Sequence, residues 1–432
     1  MQGLKTDLAP SKNVVLPHFK YATISFFVLA LLMVLSASDL AGHYFQPSIL
    51  SLTHIAALGW GTMIIFGALY QLIPVIMETA LFSERIAKIN FWILGTGIFL
   101  LIAAFWHFSV NTLLPIAASV VFIGFILFIL NITLTAIKAT KKNIQTYFIV
   151  SASFWLFLTG LLGTLISFNY RFNFMDLSHL HYLKIHAHMG MLGWFLLLII
   201  GVGSLLLPMF FVSHKLNIKK IQFSFFAING GLTGLTAEWW IFNSSLLTPV
   251  FSIIIVIGIL SFISYIYDSY KKRMRKSLDT GMKFTVLSIS LFLLPIFLGI
   301  AASFHLPRDT QLFNRLLMLY GFGFLMGFIS SLILGQTYKT LPFIIWLDKY
   351  KDLIGKTKTP MPRELYSEKI SSIQYWSYVV SIILLSVGII FSQPLVLKAG
   401  SYFLLICAIA YNINIFKILS HKPVKEKSYE KS

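Results

Sequence analysis

Residues 54–74 read HIAALGWGTMIIFGALYQLIP, and residues 188–208 read HMGMLGWFLLLIIGVGSLLLP. Six positions coincide at a constant displacement of 134 residues: His54 with His188, Leu58 with Leu192, Gly59 with Gly193, Trp60 with Trp194, Gly67 with Gly201 and Pro74 with Pro208. A further step of the same length lands on Gly327, Phe328, Gly335 and Pro342, with Tyr338 and Leu341 continuing Tyr70 and Ile73. Phe322 stands there where the first two copies carry histidine. Agreement at one fixed offset marks an internal repeat, and the repeat decides how the rest of the chain is read.

Both stretches are long and apolar, and so is most of the sequence around them. Of the 432 residues 57% are hydrophobic and only 11% charged, too few polar groups to cover a water-soluble domain. Apolar runs of about 20 residues, enough for a helix to cross a hydrocarbon core of about 30 Å, recur near Val28, Ile64, Leu100, Ile123, Leu158, Leu198, Gly231, Val256, Phe292, Leu325, Leu385 and Leu405. Strands of a membrane barrel would alternate polar and apolar residues instead. The expected fold is therefore all-α: a polytopic membrane protein of twelve transmembrane helices, a single membrane domain over 1–432 with no soluble domain. Repeat units near 19–140, 145–275 and 280–418 predict three four-helix arcs around a pseudo-threefold axis. The repeated glycines let helices approach closely, and each proline can end or bend its span.

The formal charge of +19 raises the question of nucleic acid, but its distribution answers a question of topology. With the N-terminus in the cytoplasm, all but five of the 34 Lys and Arg fall on inner segments, including Lys271, Lys272, Arg273, Arg275, Lys276 and Lys349, Lys351, Lys356, Lys358, Arg363. The five outer ones are Arg171, Lys184, Arg308, Arg315 and Lys398. This asymmetry follows the positive-inside rule and predicts a multi-pass protein of a bacterial inner membrane with both termini cytoplasmic, whose basic loops need the lipid bilayer as a partner and no nucleic acid. The first apolar run reads as a retained span rather than a cleaved signal. The lone Cys407 predicts a packing residue, with no disulfide and no covalent haem attachment.

Histidine carries the functional signal. His18, His214 and His421 fall at the inner face, whereas His43, His54, His107, His179, His181, His186, His188 and His305 fall outside or in the outer leaflet. Imidazole is costly to bury in hydrocarbon unless its nitrogens find partners, and ligation of haem iron, copper or zinc supplies them. His54 and His188, as repeat partners, are expected to hold one haem iron from both sides. His186 lies two residues from His188, about 200° around a helix, and is expected to face a neighbouring haem or copper site. His107 and His305 are further metal candidates. His179, His181 and His43 read as hydrated surface groups. Glu238, followed by Trp239 and Trp240, is a candidate for proton or metal chemistry, as the catalytic group, or for an aromatic belt. No phosphate-cradling loop, nucleophile elbow or paired carboxylates occur in the spans.

The spans, the repeat and these histidines resemble subunit I of the haem-copper oxidase superfamily, in which twelve helices form three arcs and histidines of the second, sixth, seventh and tenth helices hold two haems and a copper. His54 matches the second-helix haem ligand, and His186 or His188 the sixth-helix copper ligand. The tenth helix has Phe322 in place of histidine, and the seventh offers Glu238 and tryptophans. The chain is thus similar to divergent relatives of that subunit such as the NnrS-type haem and copper membrane proteins implicated in nitric oxide stress. The resemblance implies a haem cofactor, b-type, with copper as a second candidate. It implies electron transfer or nitric oxide and oxygen chemistry of oxidoreductase type, an electron donor or diatomic gas as partner, and other membrane subunits beside it. A haem or copper exporter, and a cofactor-free assembly protein, are the competing classes.

Overall fold

The computed structural model describes residues 8–274, 277–304, 310–354 and 358–423; Arg275, Lys276, His305, Arg308 and Lys356 of the reading above lie outside them. Twelve long helices follow one another: α1 Lys12–Leu35, α2 Pro47–Met77, α3 Glu84–Trp106, α4 Leu113–Lys138, α5 Ile144–Phe172, α6 His179–Phe211, α7 Lys219–Trp240, α8 Thr248–Lys271, α9 Thr280–Ser303, α10 Gln311–Leu353, α11 Glu368–Phe391 and α12 Pro394–Leu419. Eleven are long and apolar enough to cross a bilayer. The exception is α7, whose 22 residues include Asn229, three glycines and Glu238. The chain is a multi-pass membrane protein.

Three helices lie inside the others. The most apolar stretches of α2, α6 and α10 are 72%, 61% and 72% buried, against 33–50% for the other eight spans. Each carries a widened π-helical segment of eight residues, Ile55–Thr62, Met189–Leu196 and Gly323–Ser330, and these too are spaced by 134 residues. Such segments need i→i+5 bonding and are rare, so three in register mark a property of the repeat rather than a local accident. His54, His188 and Phe322 each stand immediately before one.

The inner helices touch through repeated contacts. Trp194 donates its indole N–H to Thr62 Oγ1 at 3.2 Å, and Trp60 donates to Ser330 Oγ at 3.1 Å. In both, one unit's tryptophan meets another unit's residue two positions further along, so the units join head to tail. The third set of equivalent positions holds Phe328 and Leu196, which can only pack.

The helix preceding each inner helix lies against its repeated glycine. A methyl group on Gly67 would overlap His18 of α1, one on Gly201 would overlap Phe148 of α5, and one on Gly335 would overlap Phe284 and the Gly281 carbonyl of α9. Outside them, α3 packs with α4, α7 with α8 and α11 with α12, while α4 meets α5, α8 meets α9 and α12 meets α1. The starts of α3 and α11 are fastened alike. Asn131 accepts from the Ser83 N–H and donates to its carbonyl, and Asn414 does both to Ser367.

Candidate functional site

A cavity of about 980 Å³ lies between the inner helices, at the end where their π-helical segments begin, and His54, His186 and His188 all line it. The histidine cluster read from sequence is therefore gathered around one space, but in a different pairing.

His54 faces His186. Their rings lie nearly parallel, 25° apart, with centroids 6.4 Å from each other. His54 also stacks on Phe105 of α3 at 4.5 Å. His54 Nδ1 is 2.7 Å from the Leu50 carbonyl, and His186 Nδ1 is 3.0 Å from the Thr159 carbonyl of α5. A carbonyl only accepts, so both Nδ1 atoms carry the proton and each Nε2 keeps its lone pair. Among the described residues nothing hydrogen-bonds either Nε2. Gly163 of α5 makes room for His186: a Cβ there would stand 2.8 Å from the imidazole Cε1.

His188 turns away from this pair. Its Nδ1 donates to the Lys184 carbonyl at 2.8 Å, while its ring lies nearly parallel to that of Tyr320 of α10, 24° apart with centroids at 5.9 Å. The Tyr320 hydroxyl is 3.5 Å from His188 Nε2, and Trp239 of α7 meets the ring edge-on at 5.0 Å. This arrangement repeats the first. His54 corresponds to His188, His186 to Tyr320 and Phe105 to Trp239, each displaced by 134 residues. Gly299, against Tyr320, does for α9 what Gly163 does for α5. The third set of equivalent positions holds Phe322 and Leu52, which offer no nitrogen or oxygen.

The expected partnership of His54 with His188 is thus replaced by one of His54 with His186, and the reason lies in how repeats pack. Equivalent residues meet across a twofold interface, whereas units joined head to tail bring unlike positions together. Residues two apart on α6 then point to opposite sides, one toward each neighbouring unit.

Glu238 corrects a second expectation. Its carboxylate accepts the Leu247 N–H at 2.5 Å and the Thr248 hydroxyl at 2.8 Å, so both oxygens are occupied at the start of α8. Thr248 Oγ1 in turn accepts the Trp239 indole N–H at 2.9 Å. Glu238 is buried, and through Thr248 it is linked to the tryptophan that walls the His188 pocket. Lys184 covers the face of the same Trp239 at 4.2 Å, and His181 Nε2 donates to its carbonyl at 2.9 Å.

Of the remaining described histidines, His43 and His181 also line this cavity and the others lie apart from it. His107 is exposed at the end of α3, apart from the cavity. His179 stacks on Tyr170 at 4.2 Å. His43 stacks on Tyr44 at 4.3 Å and accepts the Phe45 N–H. His18, expected at the surface, is fully buried beside Tyr70. Among the described residues no three His, Cys, Asp or Glu side chains are grouped as a metal ion would require.

The whole architecture has a counterpart of known structure. The chain matches a haem-copper terminal oxidase, determined as a dimer by cryo-electron microscopy, with a TM-score of 0.69 at 10% sequence identity over 99% of this chain and 86% of that one. This chain has a haem-copper oxidase fold. No protein-family model matches it, and no curated protein matches it in sequence. At this identity the likeness is one of fold, and the pockets of this oxidase fold are read from the residues that line them.

Sequence reasoning missed Tyr320, Phe105, Thr159 and Gly163. Tyr320 and Trp239 had a signal: adding the repeat length to His186 and Phe105 reaches them. Thr159 acts through its backbone carbonyl and Gly163 through a missing side chain, so neither residue type announces a role.

Proposed function

We propose that this protein is a haem-binding electron-transfer protein of a bacterial inner membrane, with one haem iron held between His54 and His186. The observation carrying this reading is the pair of near-parallel imidazoles 6.4 Å apart, both with Nδ1 tied to a backbone carbonyl. Metal–imidazole bonds are about 2.0–2.1 Å, and the ring centre is roughly 1 Å beyond the nitrogen, so two imidazoles on opposite sides of one metal have centres roughly 6 Å apart. The centroid separation of His54 and His186 matches that span. The mostly apolar cavity that they share with His188 and Tyr320, at the upper end of the range for small-molecule sites, has room for a porphyrin.

The chemistry of the donor set favours haem over a bare ion. A porphyrin supplies four of the iron ligands and asks the protein only for the remaining ones, whereas the tetragonal and trigonal sites of Cu(II) take three or more donors together. The lone buried Cys407 leaves no covalent attachment of c type, and we take the haem as b-type. Bound there, the haem supplies one-electron redox chemistry. The protein's part is to fix both tautomers through Leu50 and Thr159 and to pack His54 against Phe105. An iron held by both histidines would have no open position, which favours electron transfer over gas binding at this pocket. The function remains within the superfamily's redox class, with nitric oxide or oxygen chemistry requiring a position this pocket does not leave open.

The same reading places α7 as the twelfth span, carried by its packing against α8 rather than by its own hydropathy. The repeat units near 19–140, 145–275 and 280–418 then form three arcs around the inner helices, with both termini on the cytoplasmic side by the positive-inside rule.

The absorption spectrum of the purified protein tests this. A low-spin b-type spectrum is expected, lost in His54→Ala and in His186→Ala and retained in His188→Ala. Haem kept by both of the first two variants, or lost only from the third, overturns the ligand assignment.

A further inference from the structure

The His188 pocket repeats the plan of the His54 pocket, with Tyr320 in the place of His186 and Trp239 in the place of Phe105. The exchange of His186 for Tyr320 alters what can enter. A phenol oxygen projects much further from its ring than an imidazole nitrogen does, so at a similar ring separation the Tyr320 hydroxyl comes within 3.5 Å of His188 Nε2. This is a hydrogen-bonding distance. Two metal–ligand bonds in line would need about 4 Å between the atoms they join. His188 donates its Nδ1–H to the Lys184 carbonyl, so Nε2 carries its one lone pair, and the Tyr320 hydroxyl lies within hydrogen-bonding reach of it. Gly299 holds the Tyr320 ring from behind as Gly163 holds His186, and Trp239, fastened through Thr248 and Glu238, closes the side.

We propose that Tyr320 is the residue that determines which pocket takes iron: its hydroxyl caps His188 Nε2 and keeps haem out of the second pocket, so the chain carries one haem. The inference rests on the reading of the first pocket. The second pocket keeps the equivalent imidazole at the same helix register and an aromatic wall, and a phenol within hydrogen-bonding reach of that imidazole takes the place of the second one. Tyr320→His restores at that place the residue type found in the first pocket. Tyr320→Phe removes the hydroxyl, leaving His188 as the single ligand of a five-coordinate iron.

Haem stoichiometry by pyridine haemochrome, with carbon monoxide difference spectra, decides the question on the full-length protein reconstituted with excess haem. Wild type is expected to hold about one haem per chain, six-coordinate and unreactive to carbon monoxide. Tyr320→His is expected to rise to about two, with the second lost on adding His188→Ala. Tyr320→Phe is expected to gain a carbon monoxide-binding haem. Two haems in the wild type, one depending on His188, overturn the proposal, as does a Tyr320→His protein that keeps the first haem's spectrum and gains nothing. The outcomes also separate this inference from the first-pocket reading. A wild type without haem refutes that reading, yet a Tyr320→His protein that then gains one through His188 upholds the block; no haem in either overturns both.

Discussion

The His54 and His188 pockets share a frame and differ in chemistry. In each, the residue before a π-helical segment turns its Nδ1 toward the carbonyl four residues back, meets a nearly parallel ring from the next unit, and lies against an aromatic side chain from a neighbouring outer helix. In the first pocket the facing ring is an imidazole whose free nitrogen has no protein partner among the described residues; in the second it is a phenol that hydrogen-bonds. One backbone plan thus offers a metal-ligating gap in one place and a closed polar pair in the other, and Phe322 with Leu52 makes the third place apolar. The difference teaches that the repeat supplies position and orientation, while single residues decide function.

The sharpest way to break the comparison is to fill the space behind each facing ring. Gly163→Val drives a side chain into the imidazole of His186, whereas Gly299→Val presses on Tyr320. Outer partners of metal ligands are worth about 10–100-fold in affinity, and displacing the ligand itself should exceed the lower end of that range. Haem content of Gly163→Val is expected to fall more than about tenfold, with Gly299→Val keeping the wild-type spectrum. Equal loss from both would show that the pockets are not distinct.

A smaller effect is expected at the cap that serves only the second pocket. Glu238→Ala leaves the Leu247 N–H and the Thr248 hydroxyl without their acceptor, and hydrogen bonds to a charged group contribute about 1.5–3 kcal/mol. Denaturant or thermal unfolding in detergent should register a loss of that order, with the haem spectrum in place. A spectrum altered as much as the stability would tie Glu238 to the first pocket instead.

Least affected should be the tryptophan contacts between inner helices. Trp60→Phe and Trp194→Phe each remove one neutral hydrogen bond, about 0.5–1.5 kcal/mol apiece, and the two losses should be alike because the contacts are equivalent. Unfolding free energies that differ severalfold between these variants would mean that the two interfaces are unequal despite their shared geometry.

Much of this was legible in the residues alone. The apolar runs marked twelve spans, of which eleven are helices long and apolar enough to cross a bilayer, and the offset of 134 marked the repeat in which the π-helical segments and glycine contacts recur. The weakest of the twelve is α7, where Asn229, the glycines and Glu238 dilute the apolar signal. For Glu238 a carboxylate beside indoles left two readings open in sequence, and only the turn into α8 reveals what its oxygens accept. His18 misled, since a charged-looking inner end hides a ring sunk between α2 and α3.

Sequence by itself determined the solvent of this protein, its helices, its internal period and the identity of every residue that equivalent positions carry, because hydropathy and spacing are properties of a linear string. Which imidazole faces which was decided only in three dimensions. Helix rotation and head-to-tail packing bring position 54 of one unit against the next unit's equivalent of position 52, and no spacing within a single helix encodes the partner it will meet.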